Sequence, residues 1–167
     1  PAYLVIALMS GALWLNVLLQ WRGLSRPTIA FIAAGAAVAG LVIKVLYWRS
    51  IDTAPARSTA EIAMGLGGIG RVRLLESPHT QDNYLLREMG YRVARKHAWR
   101  LSRIALSFGF FVPFVLAGLT AAFTGRLATW TALAAALSAG LGVLVERWLF
   151  FAEARHTVTL YYGAERA

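Results

Sequence analysis

The sequence contains no cysteine. That excludes disulfides, thiolate metal sites and any iron–sulfur cluster held by this chain itself. Histidine is scarce: there are three, His79, His97 and His156, and none falls in the middle of an apolar run. A haem ligated between helices by paired histidines is therefore excluded for this stretch, and no metal site is predicted. Acidic residues are also few, eight against seventeen Lys and Arg, which gives a formal charge of +9. The first apolar run lacks a charged leader and a small-residue cleavage site, so it does not read as a signal peptide. Beginning with Pro1 rather than Met, the sequence reads as a piece of a longer membrane protein.

What is abundant is apolar surface. Hydrophobic residues make up 58% of the 167 positions, more than a soluble domain of this size needs. They gather in four runs, 2–21, 28–48, 101–123 and 127–152. About twenty residues at ~1.5 Å rise cross the hydrocarbon layer, so each run is long enough to span a membrane as a helix. Trp21, Tyr47, Trp48, Trp99, Trp130 and Trp148 lie near the run ends, where an aromatic belt belongs. The expected fold is all-α: one integral membrane helical bundle covering residues 1–167, with a polar loop at 49–100.

The excess positive charge fits membrane topology better than nucleic acid. Arg22, Arg26 and Arg126 fall on one side of the predicted bundle and Lys44 lies within the second run. All other cations lie on the side of the long loop and the C-terminal tail. By the positive-inside rule that side is cytoplasmic. Lys44, near the loop-side end of its span, is expected to snorkel outward.

Small residues spaced by four predict close helix packing: Gly35 with Ala39 and Ala36 with Gly40 in the second span, and Ala132 with Ala136 and Gly140, and Ser138 with Gly142, in the fourth. Pro113, in the middle of the third span, is expected to kink it and free a carbonyl near residue 109.

The loop carries Gly65-Leu66-Gly67-Gly68-Ile69-Gly70, a letter-perfect G-x-G-x-x-G. A dinucleotide site needs a buried strand before it and a crossover helix after it, and the flanking residues suit neither, so a turn is expected. After Ser77-Pro78, apolar residues Leu86, Met89 and Val93, then His97, recur at helical spacing among Arg87, Arg92, Arg95, Lys96, Arg100 and Arg103. This pattern predicts an amphipathic basic helix leading into the third span. It suits either anionic lipid or an acidic soluble subunit; Arg92, Arg95, Lys96 and Arg100 are the docking candidates.

At the other end of the sequence, Glu146, Phe150, Glu153 and His156 or Thr157 share one helical face, while Arg147 and Arg155 leave it. Two readings stand. The carboxylates and histidine form structural ion pairs with the basic loop, or they relay protons for a bound quinone at the membrane edge.

Three segments carry a resemblance: Gly70-Arg71-Val72-Arg73-Leu74-Leu75-Glu76-Ser77-Pro78-His79-Thr80; Asn83-Tyr84-Leu85-Leu86-Arg87-Glu88-Met89-Gly90-Tyr91 with Arg95-Lys96-His97-Ala98; and Glu146-Arg147-Trp148-Leu149-Phe150-Phe151-Ala152-Glu153-Ala154. With them the chain resembles the C-terminal half of the membrane-anchor subunit of dimethyl sulfoxide reductase-type molybdoenzymes. The resemblance implies a haem-free anchor of about eight helices in the bacterial inner membrane, half of them here. It further implies that the anchor tethers an iron–sulfur electron-transfer subunit and a molybdopterin catalytic subunit and exchanges electrons with quinone. In that family the quinone site is associated mainly with the other half. The expected role is non-catalytic, with molybdopterin and clusters confined to partners. The predicted cytoplasmic loop favours the sulfite-oxidising arrangement, whose catalytic subunits face the cytoplasm. Half of a secondary transporter and a passive anchor without a quinone site are the alternatives.

Overall fold

A computed structural model describes residues 2–53, 59–73, 75–76, 92–154 and 160. The side chains of Asp52, Arg92 and Val93 lie outside what it describes. Helix α1 spans Ala2–Trp21 and α2 Pro27–Asp52; short α3 (Ala60–Ala63) and α4 (Arg92–Lys96) lie in the loop. The third span is built from α5 (Ala98–Leu106), a π-helical turn (Ser107–Phe111) and α6 (Val112–Ala122), and the fourth is α7 (Gly125–Glu153). The described residues form an all-α bundle without a strand. Four of its helices are long and apolar enough to cross a membrane, with mean hydropathy of 2.0, 2.4, 2.1 and 1.7.

The spans run up and down. Each packs on the next around a square: α1 on α2, α2 on the third span, the third span on α7, and α7 back on α1. Thus α2 and α7 face each other across a diagonal. The long loop leaves the end of the bundle where α2 and α7 finish and α1 and α5 begin.

The first turn shows how local sequence closes a helix. Gly23, at φ 69°, ends α1; its N–H donates to the Gln20 carbonyl at 3.1 Å, and the Leu24 N–H reaches the Leu19 carbonyl at 2.8 Å. That is a Schellman cap, and it needs a residue free to enter the left-handed region. Pro27 then opens α2, where its missing N–H costs nothing. α2 continues through Tyr47, Trp48 and Arg49 to Asp52, beyond the expected 28–48. Helical backbone keeps its own hydrogen bonds in lipid, and amphipathic side chains at the end reach the polar layer.

Small residues carry the packing, as membrane interfaces favour, because lipid leaves no hydrophobic gain from bringing helices together. The buried stripes are Ile6, Met9, Leu13 and Val17 on α1; Ala30, Ala33, Ala37 and Gly40 on α2; and Ala128, Ala132, Ala135, Ala139 and Gly142 on α7. Gly35, Ala39 and Gly140, expected at interfaces, are exposed. They share a spacing of four with the true stripe but sit about 100° to 200° around the helix from it, on the outer face of the described bundle. Gly40 accommodates the Phe110 ring: a Cβ there would lie 2.7 Å from Phe110 Cε1. Gly142 lets α7 meet the third span backbone to backbone at Gly109 and Phe108. Beside it, Ser138 Oγ donates to the Phe108 carbonyl at 2.8 Å.

Around Pro113 the third span departs from regular α-helix, and the nearby Phe108 carbonyl accepts from Ser138 Oγ. The turn before Pro113 widens to π geometry, with the Val112 N–H bonded to the Ser107 carbonyl. A π turn absorbs the residue whose ordinary i→i−4 pairing the proline ring would obstruct. The glycine-rich segment has the context expected of a turn: α3 precedes it, with Gly65 at φ 72°, and no helix follows through Arg73. The expected amphipathic helix lies largely outside the described residues. Its last part is α4, and a break at His97 separates it from α5.

Candidate functional site

Lys44 does not snorkel. It is 2% exposed and pairs with Glu146, itself 1% exposed, across the diagonal between α2 and α7. Each residue lies on the inward stripe of its helix. Lys44 follows Ala33, Ala37 and Gly40 at intervals of three and four; Glu146 follows Ala135, Ala139 and Gly142 likewise. Small neighbours leave room at the bundle centre, and a charge set about 12 Å from the end of α2 (eight residues at ~1.5 Å) is better met by a counter-charge there than by a long reach to water. The Lys44 ammonium also lies 4.9 Å from the Tyr47 ring centroid and 4.8 Å from that of Trp48, both favourable cation–π positions.

Arg147 is not turned away from Glu146 either. Its Nε donates to the second carboxylate oxygen, Oε2, at 2.6 Å. Adjacent helical positions diverge by about 100° at Cβ, but an arginine stem is long enough to fold back along the helix. Its guanidinium stacks 4.1 Å from the Tyr3 ring centroid and 5.5 Å from that of Phe150. One buried carboxylate therefore holds two cations from two helices, and a residue of α1 covers the second.

This diagonal divides the loop-side end of the bundle. On the α1 side lies a cavity of about 360 Å³ bordered by Tyr3, Lys44, Tyr47, Arg147 and Phe150. On the α5 side lies one of about 440 Å³ bordered by Tyr47, Trp48, Trp99, Ser102, Phe150 and Glu153. Tyr47 and Phe150 line both and form the wall between them.

The expected carboxylate stripe thus splits in two. Glu146 is committed to the buried cluster, whereas Glu153 is exposed and borders the second cavity. His156 lies outside the described residues. Among the docking candidates, Arg95 is turned onto the bundle: Nε donates to the Ala152 carbonyl at 2.9 Å and Nη2 to that of Ala154 at 3.3 Å. These are carbonyls of the last turn of α7, which the helix leaves without intrahelical partners, and a cation suits the negative end of the dipole. Lys96 and Arg100 remain exposed, and only the backbone of Arg92 is described.

The sequence reading missed the Lys44–Glu146 pair, although a signal existed. Both residues continue the small-residue stripes with the correct period. Asn16 was also missed. It is 1% exposed within α1, and both its amide nitrogen and oxygen are without a hydrogen-bond partner among the described residues.

Comparison with protein-family models, curated proteins and solved structures finds no match for this chain.

Proposed function

We propose that this chain is a membrane anchor of a bacterial respiratory molybdopterin oxidoreductase. In this reading it holds an iron–sulfur subunit and a molybdopterin subunit at its loop-side face and exchanges electrons with quinone. The observation that supports it best is a juxtaposition at one end of the bundle. Exposed Lys96 and Arg100 stand at the start of the third span, where α5 also borders the cavity lined by Trp48, Trp99, Ser102 and Glu153. A basic surface suits an acidic electron-transfer subunit. An apolar, aromatic-walled cavity beneath it suits a quinone ring, with Glu153 and Ser102 as proton-handling groups. The positive-inside count supports a cytoplasmic orientation of this face in the inner membrane.

Affinity purification of the full-length protein from its native membrane tests the reading. Iron–sulfur and molybdopterin subunits should accompany it, and the Lys96→Glu/Arg100→Glu double variant should lose most of them. Purification of the native protein without either subunit removes the anchor reading and leaves the transporter. Glu153→Gln should assemble normally and lower quinone-linked turnover; full turnover in an assembled complex would leave a passive anchor.

A further inference from the structure

The cavity on the α1 side has chemistry that the anchor reading does not use. Among the described residues lining it are two cations, Lys44 and Arg147, and no carboxylate. Behind the lining, Glu146 answers both with a single negative charge, so the cluster carries a surplus of one positive charge. Surplus charge at this depth is costly in the low dielectric of a membrane unless an anion meets it.

The rest of the lining fits the other half of an amphiphile. Ala2, Ile43 and Leu46 give apolar walls, and Leu46 is itself 57% exposed on the lipid-facing side of α2, which makes the cavity's mouth continuous with the acyl region. Arg147 lies about 9 Å from the end of α7 (six residues at ~1.5 Å), near the boundary between headgroups and chains. A guanidinium carries five N–H donors in a fork that matches phosphate, and the bond to Glu146 takes the one on Nε. Tyr3 stacks on that guanidinium and Tyr47 lies beside Lys44, so both cations are held in place before a ligand arrives.

We propose that this cavity binds an amphiphile with an anionic phosphate head, the head held by Arg147 and Lys44 and the tail running out past Ile43 and Leu46. A bilayer phospholipid is one source of that chemistry; a free phosphate occupying the head position alone is the other.

Native mass spectrometry of the purified protein tests this, with phosphatidylglycerol and phosphatidylcholine added in separate titrations and inorganic phosphate as competitor. The protein should retain phosphatidylglycerol over phosphatidylcholine by about fivefold or more, the factor one well-placed cation supplies. Arg147→Gln should abolish the preference. Should Arg147→Gln fail to fold, Ile43→Trp, which fills the tail channel and leaves both charges, should weaken retention of both lipids. Persistence of the preference in excess inorganic phosphate assigns the site to a lipid, and displacement by it assigns the site to phosphate alone. Equal retention of the two lipids by the native protein, or a preference unchanged in Arg147→Gln, overturns the proposal.

Discussion

Lys44 and Glu146 lie 102 positions apart and meet across the diagonal of the bundle, each on the inward stripe of its own helix. Because Arg147 shares the carboxylate, the two ends of the pair are not equivalent. Glu146→Gln leaves Lys44 buried without a carboxylate partner and should cost about 3–5 kcal/mol, the range for breaking a buried pair. Lys44→Met leaves Glu146 still bonded to Arg147 and should cost less. The double variant should recover most of the loss seen in Glu146→Gln. Unfolding in detergent, followed by circular dichroism, checks the order; equal losses from the two single variants would show that the Arg147 contact contributes nothing.

The crossing at Gly142 predicts a sharp positional contrast. A methyl group there overlaps the backbone of Gly109 and Phe108, which cannot move aside as a side chain can. Gly142→Ala should therefore destabilise the bundle by several kcal/mol, as overpacking against backbone does. Gly140→Ala, two residues away in open space, should be neutral or stabilise by up to about 1 kcal/mol through helix propensity. Melting temperatures of the two variants in the same detergent decide this, and similar values would sink the proposed close crossing.

Asn16 offers a test of an unsatisfied group. Its buried amide forgoes hydrogen bonds within the described bundle. Leucine has the same branched skeleton, with bulkier methyl ends, and needs no partner, so Asn16→Leu should raise stability by about 1–3 kcal/mol, the usual cost of an unsatisfied buried polar group, less the cost of fitting the extra volume. A loss of stability in the same unfolding assay would mean that the amide has a partner in the membrane.

In the loop, Glu61 ties the glycine segment back on itself. Its carboxyl is held below the usual value for glutamate, first by its own backbone N–H, then by the Thr59 hydroxyl, with smaller help from the Val72 N–H and the Arg71 charge. Val72 N donates to Oε1 at 3.4 Å. A lowered folded-state value means that this contribution is present above the unfolded value, about 4.3, and is lost as pH falls through the folded one. Corrected for the fall of the intrinsic exchange rate with pH, hydrogen exchange at the Val72 amide should become less protected as acid protonates Glu61. In Glu61→Gln it should be fast already at neutral pH. An unchanged rate in that variant would show that the loop is held by other contacts.

How much of this was legible in the sequence differs by element. The four spans follow from apolar length, because lipid obliges every backbone group to pair within its own helix. The turn at Gly23 and the helix start at Pro27 follow from local backbone chemistry. The inner stripes were only partly legible. Spacings of four identify several possible faces on one helix, and Gly35, Ala39 and Gly140 belong to faces on the outside of the described bundle.

The charged end marks the division most clearly. By itself the sequence determined that Lys44, Glu146 and Arg147 lie near the loop-side ends of their spans, since length and periodicity fix depth. It did not determine that Lys44 turns inward, that Arg147 folds back on its neighbour, or that Arg95 reaches the end of α7. Those outcomes depend on which helices stand across from one another. A long cation's direction is set by the nearest counter-charge or carbonyl in space, and only the tertiary arrangement brings α2 opposite α7.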